Sequence, residues 1–224
     1  MDPELKFKRF CSRGNVTMVI TSKQRPELLE HTLGSFFRWE DSQRISRFIL
    51  HEDSNDSRVH ALVKHRYPQF EIMGGMESVG LNVAIDRLYA VVDTPYVFHC
   101  EDDWEFLREG FLDVSFPPLE EDAKVLQVHL RASVNGHPVK SRVEYFGGHP
   151  YRELHTGFLG MWHGYSHNPS LRRTEDMRWV LPHTQKLPRA SHKMHSVESA
   201  MGSRFKDLGY RTLAVTEDYI RHIG

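Results

Sequence analysis

The chain has 224 residues, with 29 Lys plus Arg against 30 Asp plus Glu and a formal net charge of -1. That balance argues against a general nucleic-acid binder, which needs a basic surface. The hydrophobic fraction of 39% is that of a folded soluble chain, and the apolar runs are far too short to cross a bilayer, so no transmembrane segment is expected.

Residues 1–15 are charged and aperiodic and read as a lead-in, without the apolar stretch of a secretory signal. VTMVITS (16–22) is a β-branched run that suits a buried parallel strand. KQRPELLEHTLGSFFRW follows as a helix, with Pro26 at its start and Leu28, Leu29, Leu33, Phe36 and Phe37 at helical spacing. ISRFILHEDSND (45–56) is a second strand ending in polar turn residues, SRVHALVKHRY a helix, FEIMGG a short strand and SVGLNVAIDRLYAVV (78–92) an amphipathic helix. YVFHCEDDWEF (96–106) is a fourth strand. This alternation predicts an α/β fold, a mostly parallel sheet with helices on both faces.

Beyond Asp122 the pattern changes. KVLQVHLR is a strand, residues 132–170 are long loops with short strands, and SLRRTEDMRWVL is a helix. Residues 182–195 are polar and basic. SVESAMGSRFKDLGY is a helix with Ser196 as its N-cap, and RTLAVT a last strand before EDYIRHIG. No repeat or linker interrupts the chain, so one domain is expected.

In parallel sheets, ligands bind beyond the carboxyl ends of the strands. Three polar clusters fall at such ends: Thr21 and Ser22 with Arg25, Glu52 with Asp53, and Glu101, Asp102 and Asp103. Three carboxylates after a buried strand repel one another and lose hydration, so they demand a positive partner. A hard divalent cation, Mg²⁺ or Mn²⁺, fits, since it takes one or two carboxylates plus waters and phosphate oxygens. An acidic turn or helix cap is the ordinary explanation of a lone Asp-Asp pair, but here a second acidic strand end lies beside it. The 15 histidines show no metal-binding spacing. His149, His155, His163, His167, His183, His192 and His195 are expected on the surface or in loops. No nucleophile elbow, dinucleotide fingerprint or phosphate-binding P-loop is present.

VTMVITSKQRPELLEHTLGSF, HEDSND, HCEDDWEF, SVESAMGSRFKDLGYR and RHIG stand in the order expected of a GT-A fold glycosyltransferase, and the chain resembles family 2 of that group over residues 16–224. The resemblance implies a nucleotide-binding half, 16–106, and an acceptor and catalytic half, 107–224. Thr21, Ser22 and Arg25 would lie near the base or diphosphate, and Asp53, rather than Glu52, would hold the base or ribose. Glu101-Asp102-Asp103 stands for the D-x-D element. Its opening aspartate is replaced by Glu101, which leaves the ribose contact to Glu101 or Asp102, while Asp103 becomes the metal ligand. VES places Glu198 as the base, with Glu175, Asp176 and Glu217 as the next acids. His222 matches a C-terminal histidine that contacts metal or diphosphate.

The implied activity is metal-dependent transfer of a sugar from a nucleotide sugar, a UDP-sugar by family precedent, to a carbohydrate or other hydroxyl acceptor, with inversion. Trp104, Trp162 and Tyr165 could stack on sugars. Two other readings compete. A sugar-nucleotide nucleotidyltransferase would need a glycine-rich loop where TSKQRPE stands, and a carbohydrate-binding module would need no retained acids. Cys11 and Cys100 could pair, but two buried thiols in a reducing compartment are the simpler expectation and place the chain in the cytoplasm.

Overall fold

The computed structural model describes residues 14–40, 43–134, 136–178 and 194–224. β1 (Val16–Ser22) lies in the middle of a five-stranded sheet of order β3-β2-β1-β4-β9, with β2 (Ile45–Glu52), β3 (Phe70–Met73), β4 (Tyr96–Glu101) and β9 (Ser170–Arg173). β1 pairs in parallel with both β2 and β4, and β2 with β3, while β9 runs antiparallel to β4. The sheet is therefore mostly parallel.

Both faces of this sheet are covered, as the continuous apolar strands require. Met18, Ile20, Leu50 and Phe98 pack against Leu29, Leu33 and Phe36 of α1 (Pro26–Trp39) and Val59 and Val63 of α2 (Ser57–Arg66). Val19, Ile49 and Val97 face the other way, onto Ile85, Leu88 and Tyr89 of α3 (Leu81–Ala90) and Val197, Met201 and Phe205 of α6 (Met194–Asp207). Each such side chain, fully buried, contributes about 1.5–3 kcal/mol relative to leaving it exposed. A second sheet, of order β6-β10-β8-β7, is built from β6 (Val125–His129), β7 (Val139–Phe146), β8 (His149–Leu154) and β10 (Arg211–Val215). Short helices α4 (Phe116–Glu121) and α5 (Thr174–Arg178) flank these sheets in the chain.

Three expectations are corrected. YVFHCEDDWEF is not one strand. β4 ends at Glu101, Asp102 and Asp103 form a turn, and β5 (Trp104–Phe106) leaves to pair with β11 (Ile220–His222). The break is fixed by two polar residues on the buried face of α1. Thr32 Oγ1 donates to Asp102 O (2.8 Å) and accepts from Trp104 N (3.1 Å), and Ser35 Oγ accepts from Phe106 N (3.0 Å). SLRRTEDMRWVL begins as strand β9 because Leu171 fills the core beside Phe98, and α5 starts only at Thr174. The late helix starts at Met194, so Ser196 lies inside it and is not its cap.

Residues 1–13 of the lead-in, including Cys11, and most of the basic stretch 182–195 lie outside the described residues. Cys100 is buried and free. Among the described residues, no helix is long and apolar enough to cross a membrane.

Candidate functional site

The register of the central strands sets the strand ends side by side: Thr21 opposite Glu101 on one flank and opposite His51 on the other, with Ser22 opposite Glu52. Asp53 N then donates to Ser22 O (2.9 Å), so the chain turns there with its carboxylate above β1. That carboxylate holds the start of α3. Val79 N (2.7 Å) donates to Oδ1, and Gly80 N (3.0 Å) and Ser78 Oγ (2.7 Å) donate to Oδ2, with Lys23 Nζ 3.8 Å away. Gly80 has φ +84°, a left-handed conformation that glycine adopts without steric cost. Burial alone would raise the Asp53 pKa, but these hydrogen bonds outweigh it and hold the carboxyl below its ordinary value. Glu52 is spent differently. It is fully buried and accepts from Gln24 N, Ser54 N, Ser54 Oγ and Asp56 N, which clasps the β2–α2 turn to the β1–α1 turn.

The acidic turn has a positive partner within the chain. Arg25, at the N-cap of α1, donates through Nε (3.2 Å) and Nη2 to the two oxygens of Asp102, and through Nη1 to Asp103 Oδ2 (3.0 Å). Asp102 is fully buried, also accepts from Lys23 N (3.3 Å), and does not line the cavity described below. It anchors Arg25, a role different from the ribose contact expected of it. Glu101 is handled by protonation. Desolvation first, then the charges of Asp103 and Glu198, push its carboxyl up to about 8, so it is mostly neutral at pH 7.

The far part of the chain closes the site. β5 and β11 pair so that Trp104 lies opposite His222, which brings the His222 ring 4.9 Å from the indole, edge-on, and its Nε2 3.5 Å from Asp103 Oδ2. Glu198 stands in the second turn of α6, one turn further in than the sequence suggested, and its Oε1 accepts from His167 N (2.7 Å). His167 is buried, not on the surface. Its loop is held by Arg172 of β9, a fully buried guanidinium that donates to Ser166 O and to Tyr89 Oη (2.7 Å) and lies over the Tyr165 ring. A cavity of about 420 Å³ results, lined by Thr21, Ser22, Lys23, Arg25, Asp53, Glu101, Asp103, Trp104, Arg131, His167, Asn168, Glu198 and His222, with Leu81 and Ala84 of α3.

No protein-family model matches the sequence, and no curated protein matches it. Solved structures do match the fold. One, GalNAc-T7 with UDP, GalNAc and Mn²⁺, superposes with a TM-score of 0.66 at 10% identity, over 95% of this chain and 44% of the other. The fold is that of the GT-A glycosyltransferases. A second, the mannosyltransferase PcManGT from Pyrobaculum calidifontis in complex with GDP-Man and Mn²⁺, gives 0.59 at 13% identity, over 92% of this chain and 55% of that one. The chain spans about half the length of each.

Of the residues expected from sequence, Thr21, Ser22, Arg25, Asp53, Glu101, Asp103, Glu198 and His222 meet at the cavity, and Asp102 lies behind it. Tyr165 is wholly in the core, and the Trp162 indole donates to Tyr165 O (2.6 Å), so both brace the loop. Asp176 is taken by Arg173 and Tyr210, and Glu217 by Arg108. Lys23, Arg131, His167 and Asn168 were missed as cavity-lining residues. Among the described residues, no group of three or more His, Cys, Asp or Glu side chains is arranged to hold a metal. Two converge, however. Among the described residues Asp103 Oδ1 is buried without a hydrogen-bond partner, and Oδ2, which accepts from Arg25 Nη1, lies 3.5 Å from His222 Nε2. A carboxylate oxygen and an imidazole nitrogen suit a divalent ion that completes its shell with water and phosphate oxygens.

Proposed function

We propose that the chain is a divalent-metal-dependent glycosyltransferase that moves a hexose-type sugar from a nucleoside-diphosphate sugar to an acceptor hydroxyl, with inversion. The observation that carries this reading is the meeting of Asp53, Asp103, His222 and Glu198 around one cavity at the carboxyl ends of parallel strands in a GT-A fold. Residues 16–106 form the nucleotide-binding half and 107–224 the acceptor and catalytic half. The superposable structures hold UDP in one case and GDP-Man in the other, so a uridine or guanosine diphosphate donor is the class to test, UDP first.

Asp53 receives the base or ribose. A carboxylate has about four acceptor positions, and among the described residues Oδ1 takes only Val79 N. Thr21 and Ser22 form the floor beside it, and Lys23 and Arg25 give the cavity cationic character. Asp103 and His222 hold Mn²⁺ or Mg²⁺, which when bound supplies Lewis-acid stabilisation of the departing diphosphate. Glu101 lines the cavity beside them, where its carboxyl would meet a sugar or ribose oxygen. Glu198 accepts the acceptor's hydroxyl proton from the face of the sugar away from the diphosphate, the geometry of inversion, and the His167 N–H fixes the carboxylate for that task. Trp104 walls the cavity beside the metal-binding pair.

The test is a panel of UDP- and GDP-sugars incubated with the protein and Mn²⁺ or EDTA, with nucleoside diphosphate release followed by chromatography. At least one donor should be turned over only with the metal present. Absence of both binding and release across the panel contradicts the reading.

A further inference from the structure

Arg131, just beyond β6, belongs to no motif in the sequence. It is held by the chain on either side. Tyr219 N donates to Leu130 O (2.9 Å), and Ala132 N donates to Asp218 Oδ1 (2.7 Å). Both contacts tie it to the segment that enters β11, the strand that carries His222. The guanidinium carbon lies 4.9 Å from the Trp104 ring centroid, over the indole, and the same indole meets His222 at 4.9 Å. Asp103, His222, Trp104 and Arg131 therefore follow one another along one wall, and all of them line the cavity. Burial against this wall lowers the Arg131 pKa, with Asp218 opposing, but a guanidinium remains charged. A guanidinium that lines the cavity offers an arriving anion a forked, charge-assisted contact.

We propose that Arg131 binds the distal phosphate of the nucleoside diphosphate, beside the Asp103–His222 pair. The assignment rests on the transferase reading. That phosphate's oxygen keeps the electron pair when its bond to the anomeric carbon breaks, so it gains charge where Arg131 stands. The planar fork of arginine suits a phosphate better than a lysine ammonium does.

The experiment titrates the full chain, in Mn²⁺, with UDP, GDP, UMP and GMP, for the wild type, R131Q and R131K. The wild type should prefer the diphosphate of its base. In R131Q, diphosphate affinity should fall about 10- to 100-fold, the scale of a hydrogen bond to a charged group, with monophosphate affinity unchanged. R131K, which keeps the charge without the fork, should lose less, and it reads the same preference should R131Q melt early. Undiminished diphosphate affinity in both variants, or equal losses for mono- and diphosphate, overturns the assignment and leaves the transferase reading standing. A wild-type chain that binds no nucleotide sinks both.

Discussion

The two walls of the cavity are built by different means. The wall from residues 16–106 rests on regular β/α units. Backbone N–H groups of neighbouring turns position Asp53 and Glu52, and the Arg25 guanidinium at the head of α1 positions Asp102. The wall from the described later residues is joined by contacts between elements far apart in the chain. Glu198 is held by His167 N, that loop by Arg172, and His222 by the β5–β11 pair. The first wall is preorganised by secondary structure. The second depends on a few long-range contacts, so a single substitution there should remove one task, chemistry at Glu198 or diphosphate binding at Arg131, and leave the other.

The largest expected effect lies on the second wall. Glu198→Gln keeps the hydrogen bond to His167 N but removes the basic charge. Turnover should fall about 10²- to 10⁴-fold with donor affinity nearly unchanged, measured as transfer rate and donor titration on the same preparation. Parent-rate transfer would place the base elsewhere.

On the first wall the effects should appear in stability. Asp102→Ala removes a fully buried carboxylate and leaves the partly exposed Arg25 with Asp103 alone. A loss of about 1–3 kcal/mol is expected, read from urea unfolding. An unchanged midpoint would mean that the existing Arg25–Asp103 pair is enough to hold the turn. Asp53→Ala should cost about 0.5–2 kcal/mol, because it takes the side-chain acceptor from the start of α3. It should also weaken nucleoside monophosphate binding, and full monophosphate affinity in that variant would remove Asp53 from the site.

The same contrast explains what was legible in the sequence. Alternation of Met18 and Ile20 with Val19 belongs to a strand buried on two faces, and Pro26 with its apolar spacing to a helix, so the parallel core could be read locally. The acids at the strand ends followed from the topology. Their partner did not. The need for a positive charge was evident, but Arg25 lies 77 residues from Asp102, and no local pattern couples them. His167 looked like one loop histidine among many, because its part is played by a backbone N–H, which no side-chain pattern reveals. Arg131 owes its place to contacts with Tyr219 and Asp218 from the far end of the chain. The break at Asp102-Asp103 is set by Thr32 and Ser35, polar residues on a helix face that the apolar spacing alone would leave unremarked.

The central claim is that this cavity takes a nucleoside diphosphate through a divalent ion at Asp103. Calorimetric titration of UDP and GDP into wild type and Asp103→Ala, each with Mn²⁺ and with EDTA, tests it most directly. Wild type should bind one of the two nucleotides, more tightly with Mn²⁺, and Asp103→Ala should lose that metal-dependent gain while its circular dichroism stays native. Equal Mn²⁺-dependent affinity in the two proteins would contradict the account.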